Sequence, residues 1–265
     1  LTSLLLQPLG GIRLTEPSVH VEQFASQKKK FTYLKWDEQL GGDISIARSV
    51  ELQGNRMVAV ANADAMGKSL QGAGGALVFG AVFEAFTSRP SSLEPEGWLR
   101  ACYLELNRVF RSFSGYMMAS SIIGLIDEAS LTIHLLNADH PGSIILRGAR
   151  AMLLEESPAP RLGLGAAQAD QIHITRFTAE PGDILILATD GRDDVLIPNP
   201  QGELTLNDDP EHILSVIQQA RGNAETICRL LASGDRLTDD LSVLSVQFPA
   251  GPDQSVRARN ASLQA

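Results

Sequence analysis

Five apolar residues in a row, Ile184-Leu185-Ile186-Leu187-Ala188, run without a break into Thr189-Asp190-Gly191. A short apolar run of this kind is a buried strand, and the glycine that closes it lets the chain turn sharply. Asp190 is therefore delivered to the exposed end of a core strand. Aspartate is poor in strand interiors and costly to bury unpaired, so an acid at such a tip is either a turn residue or a metal ligand. This stretch alone leaves both readings open. It does require a sheet whose strand ends carry polar groups.

The rest of the chain can supply that sheet. Its 265 residues, 44% of them hydrophobic, suffice for one large domain or two small ones with a real core. A net charge of -9 argues against a nucleic-acid surface, which needs clustered Lys and Arg. The same acidity suits divalent cations. Cys102 and Cys228 each fall in an amphipathic helical stretch, so buried thiols are expected rather than a disulfide framework or a zinc site. No stretch approaches the ~20 continuous apolar residues of a membrane span, and Leu4-Leu5-Leu6 is too short for a signal-peptide core. Three lysines, Lys28 to Lys30, read as a solvated strand opening rather than a lipid-binding patch.

Residues 1–28 mix Pro8, Gly10, Gly11 and Pro17 without periodicity and read as a linker or N-terminal arm. Strands are expected at 31–36, 44–50 and 57–61, the first two flanking the turn Gly41-Gly42-Asp43. After Asp64, Leu70, Leu77, Val78, Ala81, Val82 and Ala85 recur at helical spacing, and a second helix over 94–113 carries the stripe Trp98, Cys102, Leu106 and Phe110. Hairpins follow at 119–126 with 131–136 and at 143–146 with 151–154, then strands at 172–177 and from Asp183. Two shorter helices, 211–220 and 224–232, precede a last strand at 241–248. Meander connections of this kind imply antiparallel pairing. The whole is a single α+β domain over 29–248, with helices outside antiparallel sheets and a disordered tail over 249–265.

Four acids share one local setting, a turn or strand end with small neighbours: Asp43, Asp64, Asp190 and Asp239. Carboxylates gathered from separate strand ends suit Mg²⁺ and Mn²⁺, which prefer oxygen ligands and keep waters. Without a cation such charges would repel one another. A two-metal site of this kind hydrolyses phosphate esters without a protein nucleophile. Each acid taken singly also fits a turn or a cap.

Taken in order, the segments around them resemble the bacterial SpoIIE/RsbU-like branch of the PP2C (PPM) serine/threonine phosphatases, from about Gly41 to Phe248. Gly41-Gly42-Asp43 resembles the family's entry turn, and Ala63-Asp64-Ala65-Met66-Gly67-Lys68-Ser69 its Asp-x-x-Gly segment. Asn137-Ala138-Asp139-His140-Pro141 is similar to its Asn-Ala-Gly-His-Pro turn. Pro181-Gly182-Asp183 through Asp190-Gly191 and Thr238-Asp239-Asp240-Leu241-Ser242-Val243 resemble its two closing blocks. The resemblance implies an αββα sandwich and two divalent ions, Mn²⁺ or Mg²⁺. Asp64 would bridge them, Asp190 and Asp239 would serve one, and Asp43 with the backbone carbonyl of Ala65 the other, with Asp64 and Asp190 central to catalysis.

The resemblance further implies a phosphorylated regulatory protein of the anti-sigma-factor-antagonist (STAS) type as substrate. It also implies an upstream sensor or transmembrane region acting through the helix pair around 70–113, a homodimer, and a cytoplasmic location. The chain opens at Leu1 and reads as a fragment of something longer. It departs from the family pattern at Ser69 and Asp139, where glycine is usual, at Ala65, and at Met66, where animal-type enzymes place a histidine proposed as general acid. His140 is the substitute donor to consider, although its turn resembles a structural block of the family, and residues 192–210 are long enough for a substrate flap.

Two other readings compete. Asn62 to Ser69 matches a phosphate-binding P-loop except at its first glycine, with Lys68 as the phosphate-binding lysine. The meandering strands do not supply the parallel βαβ units such a loop needs. A catalytically silent module of the same fold, recruiting a phosphoprotein, is the other. Four retained acids argue against it, because a scaffold without metals would be more stable without them.

Overall fold

The structure is a computed structural model that describes residues 2–33, 35–67, 69–199, 201–233 and 236–250. The chain opens with a one-turn helix α1 (Thr2–Leu6), strands β1 (Gly11–Arg13) and β2 (His20–Ser26), and a hairpin of β3 (Lys29–Tyr33) and β4 (Trp36–Leu40). Next come the long strands β5 (Asp43–Leu52) and β6 (Asn55–Ala65). They are joined by Gln53-Gly54, both at positive φ, 53° and 78°, as a two-residue turn between twisted strands requires. Helices α2 (Leu70–Thr87) and α3 (Pro95–Arg111) cross back over them. Then follow β7 (Ala119–Asp127), β8 (Thr132–Ala138), β9 (Ile144–Arg147), β10 (Arg150–Leu153), β11 (Thr175–Thr178) and β12 (Ile184–Ala188). A small hairpin of β13 (Leu196–Pro198) and β14 (Leu204–Leu206), helices α4 (His212–Ala220) and α5 (Ala224–Ala232), and strand β15 (Leu241–Gln247) complete the fold.

Two sheets stack face to face. One runs β1-β5-β6-β7-β8-β11 and the other β10-β9-β12-β15-β2. Three separate apolar layers hold this sandwich together. Val58, Val60, Ile122, Leu185, Leu187 and Leu244 fill the space between the sheets. Phe79, Phe83, Trp98, Leu106 and Phe110 pack α2 and α3 onto the first sheet, and Ile186, Val243, Ile217 and Ile227 join the second sheet to α4 and α5. The result is the expected αββα order. The predicted stripe on α3 is buried along its length, and both cysteines are buried and free.

Helix α2 reaches its sheet differently. Its buried face is built largely of small residues, Gly72, Ala73, Gly75, Ala76 and Gly80, with Phe79 and Phe83. A Cβ on Gly75 would stand 2.5 Å from Ala65 Cβ, so the helix lies almost on the end of β6. At 18 residues and a mean hydropathy of 1.2, α2 is the one helix among the described residues long and apolar enough to cross a membrane. Here that apolarity is spent on the sheet.

Two expectations need correction. Residues 11–26 are not a linker: β1 lies at the edge of one sheet and β2 at the edge of the other, pairing along β15 from Leu241↔Ser26 to Gln247↔His20. Edge strands exposed on much of their surface show little apolar alternation, which is why the stretch looks irregular. The β1 to β5 pairing is also parallel, unlike every other strand pairing. Residues 192–210, long enough for a substrate flap, carry the β13/β14 hairpin, anchored where Leu196 N donates to Arg236 O (2.8 Å) and Thr238 N to Asp194 O (3.0 Å). Of the predicted disordered tail, residues 251–265 lie outside the described residues.

Candidate metal centre

All the predicted acids arrive at one end of the sandwich. Asp43 opens β5 and is the direct antiparallel partner of Asp64, next to last on β6. Asp190 follows β12 after Thr189, and Asp239 and Asp240 immediately precede β15, the strand paired with β12. Asp64, Asp190, Asp239 and Asp240, with Ala65, Met66, Lys28 and Arg161, line a cavity of about 530 Å³. Asp43 lies behind it, 7% exposed. A hydroxyl ties the two sheets together here: Thr189 Oγ1 donates to Asp43 Oδ2 (2.6 Å) and accepts from Ser242 N (2.9 Å).

The glycine pair before Asp43 is there for want of space. A Cβ on Gly41 would fall 1.7 Å from Gln27 Oε1 and 2.1 Å from Asp240 Oδ2. One on Gly42 would fall 2.3 Å from the Ala65 carbonyl oxygen and 2.9 Å from Asp64 Oδ1. Backbone and acids thus crowd together as side chains larger than hydrogen would forbid. Gly42→Ala is expected to displace the Ala65 carbonyl and weaken Mn²⁺ binding at least about tenfold, measured by calorimetric titration of the two proteins.

The electrostatics are those of an acid cluster short of positive charge. Asp43 is held well above the usual carboxylate range, first by burial and then by the charge of Asp64, against the Thr189 hydroxyl, which lowers it. Burial, then Asp190, Asp239 and Asp240, push Asp64 up to about 6. Asp190 is raised by burial and by Asp239, and Asp240 by burial despite the amides of Lys28 and Gly42 that hydrogen-bond it.

The residues present fit hard divalent cations. Asp43 Oδ1 is buried without a hydrogen-bond donor and lies beside Asp64, where a cation between the two carboxylates would satisfy it. Among the described residues no three His, Cys, Asp or Glu side chains stand in a finished ion cage. The acids converge on a pocket rather than on a point, as expected of mutually repelling carboxylates and of ions that take waters for much of their shell.

His140, weighed as a proton donor against a structural role, is a structural residue. It is buried, and burial followed by Arg192 and Arg161 lowers its pKa to about 3, so the ring is neutral. Its Nε2 pairs with Asn62 Oδ1 (2.9 Å) and its Nδ1 with Ser120 Oγ (2.9 Å), while Asn62 Nδ2 donates to Ser45 Oγ and Ser242 Oγ. This buried network spans both sheets beneath the acids. Replacing His140 by Ala would orphan Asn62 Oδ1 and leave a cavity, so a loss of roughly 2–4 kcal/mol is expected in denaturant unfolding. Met66, the other position considered, lines the cavity with a side chain that has no proton to give.

Asp183 is structural too, accepting from Arg147 Nη2 (2.7 Å) and Glu180 N (2.8 Å) at the far end of β12. Asn62 through Ala65 are strand residues of β6, which removes the P-loop, whose phosphate cradle must be a loop. Lys68 lies outside the described residues. Ser69 and Asp139, both at positions where the family has glycine, take positive φ of 57° and 53°. Such a backbone suits glycine and strains a residue that carries a side chain. Sequence reasoning missed Asp240, Thr189, Lys28 and Arg161; the Asp239-Asp240 doublet was the one visible signal among them.

A two-sheet αββα sandwich with aspartates gathered at one end is the fold of the PP2C phosphatase domains. Within it the chain belongs to the SpoIIE family (stage II sporulation protein E), whose model matches residues 54–249. The fold is similar to that of the RsbU and RsbW domains of a Mycobacterium tuberculosis protein (TM-score 0.66, 18% identity, covering 88% of this chain and 62% of that one). It is also similar to the PP2C domain of SpoIIE from Bacillus subtilis with a fragment of its regulatory domain (0.65, 16%, 88% and 63%). The catalytic domain of the serine/threonine phosphatase PstP in complex with two manganese ions is similar as well (0.60, 16%, 87% and 98%). The chain thus spans less than two thirds of the first two structures' length. No curated protein sequence matches it.

Proposed function

We propose that this chain is an active metal-dependent phosphatase that removes phosphate from a serine or threonine of a regulatory protein. The observation that carries the reading is the acid pocket itself: Asp64, Asp190, Asp239 and Asp240 share one cavity, with the orphaned oxygen of Asp43 behind it. Asp64 would stand between two Mn²⁺ or Mg²⁺ ions, with Asp190 and Asp239 on one and Asp43 and the Ala65 carbonyl on the other. Bound there, such ions supply a water acidic enough to act at neutral pH and neutralise charge on a phosphoryl group. The chain's own residues fix the frame for that chemistry. Thr189 holds Asp43 in place, Gly41 and Gly42 let Asp240 and the Ala65 carbonyl close in, and the His140–Asn62 network keeps the two sheets in register beneath.

A regulatory phosphoprotein as substrate, of the STAS type, is supported by the similar structure in which an RsbU domain shares a chain with an RsbW domain. Control by an upstream sensor is supported by the seat of α2. With Gly72 and Gly75 against the end of β6, a shift of α2 would be felt at the Ala65 carbonyl. A phosphoprotein substrate and divalent ions would place the domain in the cytoplasm, and homodimerisation would give a sensor a second surface to act on.

Purified protein is expected to hydrolyse a phenyl phosphate ester and a phosphoserine peptide with Mn²⁺, and to stop when a chelator is added. Hydrolysis that survives chelation would reject the metal mechanism. A protein that binds the phosphopeptide and never cleaves it would be the silent module.

A further inference from the structure

Arg161, in the segment after β10, lines the acid cavity, and its charge is felt at Asp190. Its Nε donates to Asp139 Oδ2 at 3.0 Å. Among the described residues its two terminal nitrogens have no hydrogen-bond partner, and the side chain is 37% exposed. No other guanidinium among the described residues lines this cavity; the other cations on its wall are lysines, Lys28, whose ammonium donates to the Thr238 carbonyl at 2.7 Å, and Lys29. Asp139 makes that arrangement at a cost, since its φ of 53° is a conformation glycine adopts without strain.

A counterion meant only to quiet the acids would turn its donors to them. Arg161 instead gives Nε to an exposed acid outside the cavity, which leaves the planar terminal pair available. Two parallel N–H donors match two oxygens of a phosphate, a geometry no lysine reproduces. We infer that Arg161 grips the phosphoryl oxygens of the substrate, with Asp139 as the positioning residue that holds the guanidinium ready. This inference rests on the phosphatase reading and names the group within that site that recognises the phosphomonoester.

The test uses the full chain loaded with Mn²⁺ and two readouts: steady-state hydrolysis of a phenyl phosphate ester, and calorimetric binding of inorganic phosphate. Arg161→Ala is expected to raise KM and weaken phosphate binding roughly ten- to a hundredfold, with kcat changed much less. Arg161→Lys should recover only part of this loss, and it covers the case in which the alanine variant folds poorly. Asp139→Gly, which suits the local backbone, should raise KM several-fold while the melting temperature holds. Unchanged phosphate affinity and KM in Arg161→Ala, or full recovery by Arg161→Lys, would overturn the role. A wild-type protein inactive on every phosphomonoester with either ion would instead bring down the phosphatase reading, whereas the calorimetric comparison would still report on Arg161.

Discussion

Asp190→Ala is expected to lower kcat/KM for a phenyl phosphate ester by about a thousandfold or more at saturating Mn²⁺, with the fold retained. Asp190 stands at the end of a strand whose buried body, Leu185 to Ala188, packs without it. Its carboxylate faces the cavity, and burial with the charge of Asp239 holds it above its ordinary pKa despite the Gly191 amide and the charge of Arg161, so the metal-free fold loses little with it. A circular dichroism spectrum and melting temperature at or above those of the parent should therefore accompany the lost turnover. Activity within tenfold of the parent would remove Asp190 from the ligand set and the two-metal arrangement with it.

The second large effect is on stability. In the metal-free protein, Asp64→Asn is expected to be more stable than the parent at pH 8 by roughly 3 kcal/mol, and no more stable near pH 4. Burial first, then the neighbouring acids, raise Asp64 from its ordinary 3.8 to about 6 in the folded chain. Below 3.8 it carries its proton in both folded and unfolded states and costs nothing. As pH rises from there through about 6, the unfolded chain releases the proton more readily, so stability is lost across that window and stays lost above it.

His140 acts in the opposite sense. Neutral in the fold down to about pH 3, it removes stability as pH falls below its ordinary 6.5. The comparison must therefore be parent against variant at each pH, since His140 contributes equally to both. Thermal melts in chelator at pH 4 and pH 8 would decide the matter. A variant less stable than the parent at pH 8 would mean that the acids are not in mutual repulsion. With Mn²⁺ added the order should reverse, because only the parent binds the ion well.

Much of this site could be read from the chain before folding, because its acids carry local signatures. Asp190 ends an apolar run, Asp64 follows another, and Gly41-Gly42 marks a place where no side chain fits. What stayed hidden depends on distant pairing. Asn62 and His140 are 78 residues apart, and only the sandwich makes them one network. Arg161 gains its meaning from Asp139, 22 residues away, and β2 looked like a linker because it is half exposed along β15. The turn at Asp139 was legible as a block of sequence, but its positive φ was not.

The Thr189 hydroxyl, reaching from one sheet to the carboxylate of Asp43 on the other, makes the domain's chemistry a property of the closed sandwich. Asp43 and Asp64 ride on one sheet and Asp190 and Asp239 on its partner. On the proposed metal arrangement, parting the two sheets would leave half a coordination shell on each. Turnover, on the proposed mechanism, would double as a gauge of how tightly the two faces have come together.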